Sequence, residues 1–104
     1  MKAVKVQYTV KEDFAETNKN NIAQVMSDLR KLNNPNIKYS SFTLEDGKTF
    51  VHFAVYPDEK TSQIVSQLPS FAFFREELQA SQPEVPPKAE DLKLVASAYD
   101  FFQN

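Results

Sequence analysis

No cysteine occurs in the sequence. That absence removes disulfides, thiolate nucleophiles, zinc sites of the cysteine type and iron–sulfur clusters together. Glycine is nearly as scarce. Gly47 stands alone, whereas a phosphate cradle needs several residues without a Cβ so that backbone N–H groups can approach the anion. Nucleotide cofactors are therefore disfavoured, and no cofactor is expected. Charge of one sign is also lacking: the formal net charge is −2, and the lysines and arginines are scattered instead of forming the basic stripe that a phosphate backbone requires. Nucleic acid is not an expected partner. Long apolar runs are missing too. The opening MKAVKVQYTV alternates apolar and polar residues and does not read as a signal peptide, and no stretch approaches the length of a membrane span. No membrane association is expected, and the cytoplasm is the expected location.

What the chain does have is aromatic residues. Nine Phe and four Tyr occur without any Trp among 104 residues, a length suited to one hydrophobic core and a single domain spanning 1–104. A domain of this size buries only a moderate fraction of its surface, so some of those rings are expected to bury against a partner.

The hydrophobic periodicity changes along the chain. Val4, Val6, Tyr8 and Val10 alternate with Lys5, Gln7 and Thr9, which predicts a strand over Ala3 to Val10. From Asp13, offered as a cap with Glu16 reaching back, Ile22, Val25, Met26, Leu29 and Leu32 fall on one helical stripe that ends before Asn33-Asn34-Pro35. Ile37 to Glu45 and Lys48 to Tyr56 are β-rich runs flanking Asp46-Gly47, a strong hairpin signal. The second run is apolar in both parities, which places it at the centre of a sheet with both faces covered.

Pro57-Asp58 ends that strand and offers a cap. Ile64, Val65 and Leu68 then mark a short helix interrupted at Pro69, and a second segment, with Ser70 as its cap, carries Phe71, Phe74 and Leu78 at helical spacing. Gln82 to Asp91, with Pro83, Pro86 and Pro87, reads as an extended connecting loop, and Leu92 to Phe102 as the last strand. The order βαββαβ predicts an α+β, ferredoxin-like, four-stranded antiparallel sheet with the helices on one face. Burying the other face needs a second sheet, so a back-to-back homodimer is expected.

That element order, together with Tyr39 to Glu45 running into Asp46-Gly47-Lys48-Thr49-Phe50-Val51-His52 and the later Pro69-Ser70-Phe71-Ala72-Phe73-Phe74, resembles the dimeric α+β barrel proteins related to the antibiotic biosynthesis monooxygenases. The likeness spans nearly the whole chain. The superfamily also includes haem-degrading, isomerase-like and dehalogenase-like members, so the resemblance speaks to fold more than to activity. It implies a hydrophobic or aromatic ligand held between the helices and the sheet. In relatives resembling quinol monooxygenases it further implies cofactor-free oxidation assisted by Asn, Trp, Tyr or His. Here Trp is absent and the one His lies on a predicted strand, not on the second helix where haem-degrading relatives place theirs, so neither catalytic set carries over.

His52 is the natural candidate for acid or base chemistry, since imidazole alone titrates near neutrality, although a lone His in an apolar strand also reads as a hydrogen-bonded structural residue. Burial should keep it neutral at pH 7. Metal binding is not expected from one His without clustered carboxylates. Tyr8, Tyr39, Tyr56 and Tyr99 fall on predicted strands. Tyr56 shares the parity of His52, and Tyr39 joins them if the hairpin register permits, so Tyr39 and Tyr56 are the candidate ligand-binding partners of His52. Phe71 and Phe74 are the candidate aromatic wall, with the break at Pro69 allowing a mobile lid, while helical spacing also explains both rings as packing. Phe73 points elsewhere. Glu76 and Glu77 read as a solvated face, and Asp100 as a carboxylate that the last strand would bury.

Three functions fit these residues: a binder of a small apolar or aromatic molecule, a cofactor-independent monooxygenase, and a dimer whose role is interaction.

Overall fold

The alternation of valines in the first ten residues forms β1 (Lys2–Thr9), at the start of a computed structural model that describes residues 1–102. A single 3₁₀ turn, Glu12–Phe14, leads into α1 (Ala15–Leu32). Asp13 lies within that turn and caps nothing: the N-cap position is Phe14, without a side-chain bond. The turn replaces the cap by closing a short bond from Phe14 N–H to the Lys11 carbonyl (2.9 Å), one of the ways a helix start satisfies its free groups. Asn33 ends α1 in the left-handed conformation (φ 51°), which Asn tolerates better than most residues.

β2 (Lys38–Thr43) and β3 (Thr49–Tyr56) form the expected hairpin, with Gly47 at φ +73°. The loop is longer than a two-residue turn because the Asp46 carboxylate organises it. That carboxylate accepts the N–H groups of Lys48 and Thr49 and the Thr49 hydroxyl, an Asx arrangement that mimics backbone turns. The same bonds hold the Asp46 carboxyl below the usual carboxylate range.

α2 (Glu59–Ser66) starts at Asp58, whose side chain accepts the Thr61 N–H (2.8 Å). α3 (Pro69–Ala80) starts with Pro69 in its first turn, where the missing N–H costs nothing. The cap position belongs to Leu68, and the Ser70 hydroxyl is buried without a partner.

The last strand differs from the sequence expectation. β4 is Val85–Leu92, the proline-rich segment that reads as a loop, whereas the segment after Leu92 forms no strand among the described residues and leaves Tyr99 and Asp100 exposed. The physical reason is the edge. The sheet order is β2-β3-β1-β4 with antiparallel pairing throughout, so β4 needs a partner on one side only, and an edge strand tolerates residues that cannot donate. Pairing runs Thr9 to Val85 and Gln7 to Lys88, so Pro86 and Pro87 together face Tyr8 across a β-bulge.

Helices cover one face. Tyr8, Phe50, Ala54 and Tyr56 from the sheet pack with Ile22, Val25 and Leu29 of α1, Val65 of α2, and Phe74 and Leu78 of α3. Burying these side chains in place of water is what holds the layers together. On the other face Val51 is buried but Phe53 is 39% and Phe42 57% exposed, so the two-sided apolarity of β3 is only half covered within this chain.

Candidate functional site

Strand register assembles the polar centre. Val6 pairs with His52, and Tyr39 pairs with Ala54, which puts Tyr8, His52 and Tyr39 on the helix-facing side of three adjacent strands. His52 Nε2 lies 2.8 Å from the Tyr8 hydroxyl, and Nδ1 lies 3.1 Å from the Tyr39 hydroxyl. From α1, Asn18 Nδ2 donates to the same Tyr8 oxygen (2.9 Å). His52 is 3% exposed, and the rings of Tyr8 and Phe74 pack beside it at 5.4 and 5.6 Å between centroids.

Burial sets the charge state. It lowers the His52 pKa to about 4, because an imidazolium would lose its hydration and finds no carboxylate among its hydrogen-bond partners. Burial likewise raises the Tyr8 and Tyr39 hydroxyls above the ordinary tyrosine value, and pushes Tyr56 up to about 12. All four groups are neutral at pH 7.

A neutral imidazole has one donor and one acceptor. Tyr8 accepts the Asn18 amide proton; in the tautomer whose Nε2 accepts the Tyr8 O–H, Nδ1–H serves the Tyr39 oxygen. In that tautomer the relay runs Asn18 to Tyr8 to His52 to Tyr39 and leaves the Tyr39 hydroxyl proton unspent.

Tyr39 and His52 both border a cavity of about 470 Å³ between α3 and the sheet. Its walls are Phe71, Phe74 and Leu78 from α3, Val6 from β1, and Pro86 and Pro87 from the β4 bulge. The Phe71 ring stands edge-on to Tyr39 (6.3 Å) and carries the Arg75 guanidinium over its face (5.1 Å). A more open groove of about 640 Å³ lies at the C-terminal end of α1, bordered by Arg30, Asn33 and the other side of Tyr39. No cluster of metal-ligating side chains exists among the described residues.

His52, Tyr39, Phe71 and Phe74 are thus brought to one cavity. Tyr56 is not. It shares the face, but four residues along a strand is about 13 Å, and it is buried elsewhere in the core. Phe73 is exposed. Of the relay's members, Asn18 escapes the sequence reading altogether, and Tyr8 figures in it only as one of four strand tyrosines. Asn18 lies four residues before Ile22, an amide on an otherwise apolar stripe, and Tyr8 is the one hydroxyl on the inner face of β1. Either oddity is a signal.

No protein-family model matches this sequence, and no curated protein matches it. Solved structures do. An antibiotic biosynthesis monooxygenase shares 15% identity with a TM-score of 0.76, over 92% of this chain and 100% of that one. Rv0793 from Mycobacterium tuberculosis gives 15% and 0.77 over 94% and 98%. SnoaB from Streptomyces nogalater, a cofactor-independent oxygenase crystallised as a point mutant, gives 13% and 0.70 over 95% and 97%. The fold is therefore that of the antibiotic biosynthesis monooxygenase-like proteins. Identities this low say nothing about activity.

Proposed function

We propose that this protein binds a small apolar or aromatic molecule bearing a hydrogen-bond acceptor, held between α3 and the sheet with its acceptor on the Tyr39 hydroxyl. The observation that carries this reading is the cavity of about 470 Å³ with apolar walls and the Tyr39–His52 hydrogen-bonded pair among its lining. Ligand sites commonly fall between about 300 and 1,000 Å³ and use few polar groups to fix orientation. In this reading His52 orients Tyr39. Both of its nitrogens are engaged, and a pKa of about 4 makes it a weak proton acceptor.

The test is a matched pair, 1,4-naphthoquinone against naphthalene, titrated by quenching of the tyrosine fluorescence and by calorimetry. The quinone is expected to bind about tenfold more tightly, a preference of one hydrogen bond, and Tyr39→Phe should remove the preference while naphthalene binding persists. Failure of both ligands to bind would sink the reading.

A second reading, cofactor-independent oxygenation of a quinol, draws support from the likeness to SnoaB. Oxygen uptake with a panel of quinols separates the two, and turnover abolished by His52→Gln without loss of stability would favour the enzyme. We further propose that the outer sheet face pairs with a second copy of this chain, supported by the exposed Phe42 and Phe53 on that face.

A further inference from the structure

We infer that Arg75 is the specificity residue of the cavity between α3 and the sheet, and that the ligand is an aromatic or apolar carboxylate whose anionic group docks on its guanidinium. This rests on the ligand-binding reading above and narrows it to a chemical class.

The chain has only two arginines, Arg30 and Arg75. Four lysines form ion pairs, Lys2 with Glu59, Lys19 with Glu16, Lys31 with Asp28 and Lys48 with Glu84, but among the described residues neither arginine does. Arg75 is also the one charged side chain bordering the cavity of about 470 Å³, and no carboxylate borders it. In a protein of net charge −2, a cation without a carboxylate partner among the described residues thus stands at the rim of a largely apolar cavity.

The geometry suits an anion. The guanidinium carbon lies over the Phe71 ring, 5.1 Å from its centroid, a cation–π contact that needs none of the guanidinium N–H donors. Among the described residues no carboxylate pairs with these N–H donors, which form the rigid fork that matches a carboxylate with two parallel hydrogen bonds. Phe71 itself is held edge-on by Tyr39, so the cation sits on a fixed platform. A flat ligand body laid against Phe74 and Leu78 would have a carboxylate within reach of Arg75 at the rim while its far end meets the Tyr39 hydroxyl. The apolar walls strengthen the attraction by keeping water from one side of the pair.

The test compares 2-naphthoate with its neutral isostere 2-naphthamide on the intact protein at pH 7. Naphthoate is expected to bind at least tenfold more tightly, with an advantage that shrinks as salt rises. Arg75→Gln, at an exposed position where folding should survive, is expected to bring the two ligands within threefold by weakening naphthoate alone. Arg30→Gln should leave the preference intact. Equal affinities in the wild type would overturn the inference while leaving the ligand-binding reading in place. A preference that persists in Arg75→Gln, or that disappears only in Arg30→Gln, would overturn it by locating the anion elsewhere. Silence from both ligands would remove the ligand-binding reading and this inference with it.

Discussion

The two faces of the sheet solve opposite problems with the same strands. On the helix side, Tyr8 of β1, Tyr39 of β2 and His52 of β3 satisfy one another inside an apolar layer. On the outer side the same strands present Phe42, Phe53 and Val55, bordered by Lys5, Lys38 and Ser40, and no described residue buries that patch completely. Tyr99 and Phe101 fold back to border a groove there, yet Phe42 stays more than half exposed. The contrast teaches where specificity resides. A buried hydrogen-bonded relay tolerates one arrangement, because each unpaired member would carry its desolvation cost, whereas an apolar patch fixes area without fixing geometry.

The largest expected effect tests the inner face through pH. The unfolded chain takes up a proton on His52 near pH 6.5, while the folded chain does so only near pH 4. Acidification across that window therefore favours unfolding, and stability returns as pH rises. A shift of this size corresponds to roughly 3 kcal/mol lost between pH 6.5 and 4. Denaturant titrations across the window should show that slope, and His52→Gln should flatten it. The Asp46, Asp58 and Glu59 carboxyls, all held below their ordinary values, act mainly at the acid end and remain in both proteins. An identical slope in the variant would mean that His52 is not buried as a neutral group.

Next in size is the relay itself. Tyr8→Phe keeps the ring that stacks on Phe50 (5.6 Å) but strands His52 Nε2 and the Asn18 amide, so about 2 kcal/mol of stability should be lost. Asn18→Leu in the same background should recover part of it, since removing both partners costs less than removing one. Additive losses in the double variant would break the idea that the inner face is one coupled unit.

Much of the inner face is legible in the sequence, and the reasons for the remainder are specific. Parity alone places His52 and Tyr56 on one side, but only the register set by the hairpin brings Tyr39 to His52 and leaves Tyr56 behind. Asn18 is hidden because helical periodicity is traced through apolar members, so the polar residue on the stripe goes uncounted. The last strand is misread because Pro86-Pro87 excludes a central strand but not a bulged edge, while the aromatic run through Tyr99 to Phe102 imitates a strand without finding a neighbour to pair with. Arg75 carries no signal in sequence at all, since its significance lies in what fails to pair with it.

The register can be tested at the turn. Gly47 has φ +73° and nothing within 4 Å of where a Cβ would stand, so substitution acts on the backbone alone. Gly47→Val should cost about 1 kcal/mol or more, and Gly47→Asn, which tolerates the left-handed region, clearly less. Equal melting temperatures for the two variants would show that the turn does not require a positive φ and would loosen the explanation of how Tyr39 reaches His52.

The smallest effect on the chain's own stability is expected on the outer face, and there the assembly is the sensitive quantity. Phe42 is 57% exposed on the edge strand β2 and touches only one other ring, that of Phe53 at 6.0 Å, so Phe42→Lys should alter the stability of the isolated chain by no more than about 0.5 kcal/mol. If a second copy covers this face, burying roughly 1,200 Å² or more in total, the same lysine would have to be desolvated between two sheets without an acidic partner, and pairing should fail. Light scattering at micromolar concentration is expected to give the mass of two chains for the wild type and one for the variant, with matching circular dichroism. A wild type that is already monomeric, or a variant that still pairs, would leave the outer face as a mere exposed patch. The contrast between the faces would then be one of ordered against uncovered surface, with no second copy involved.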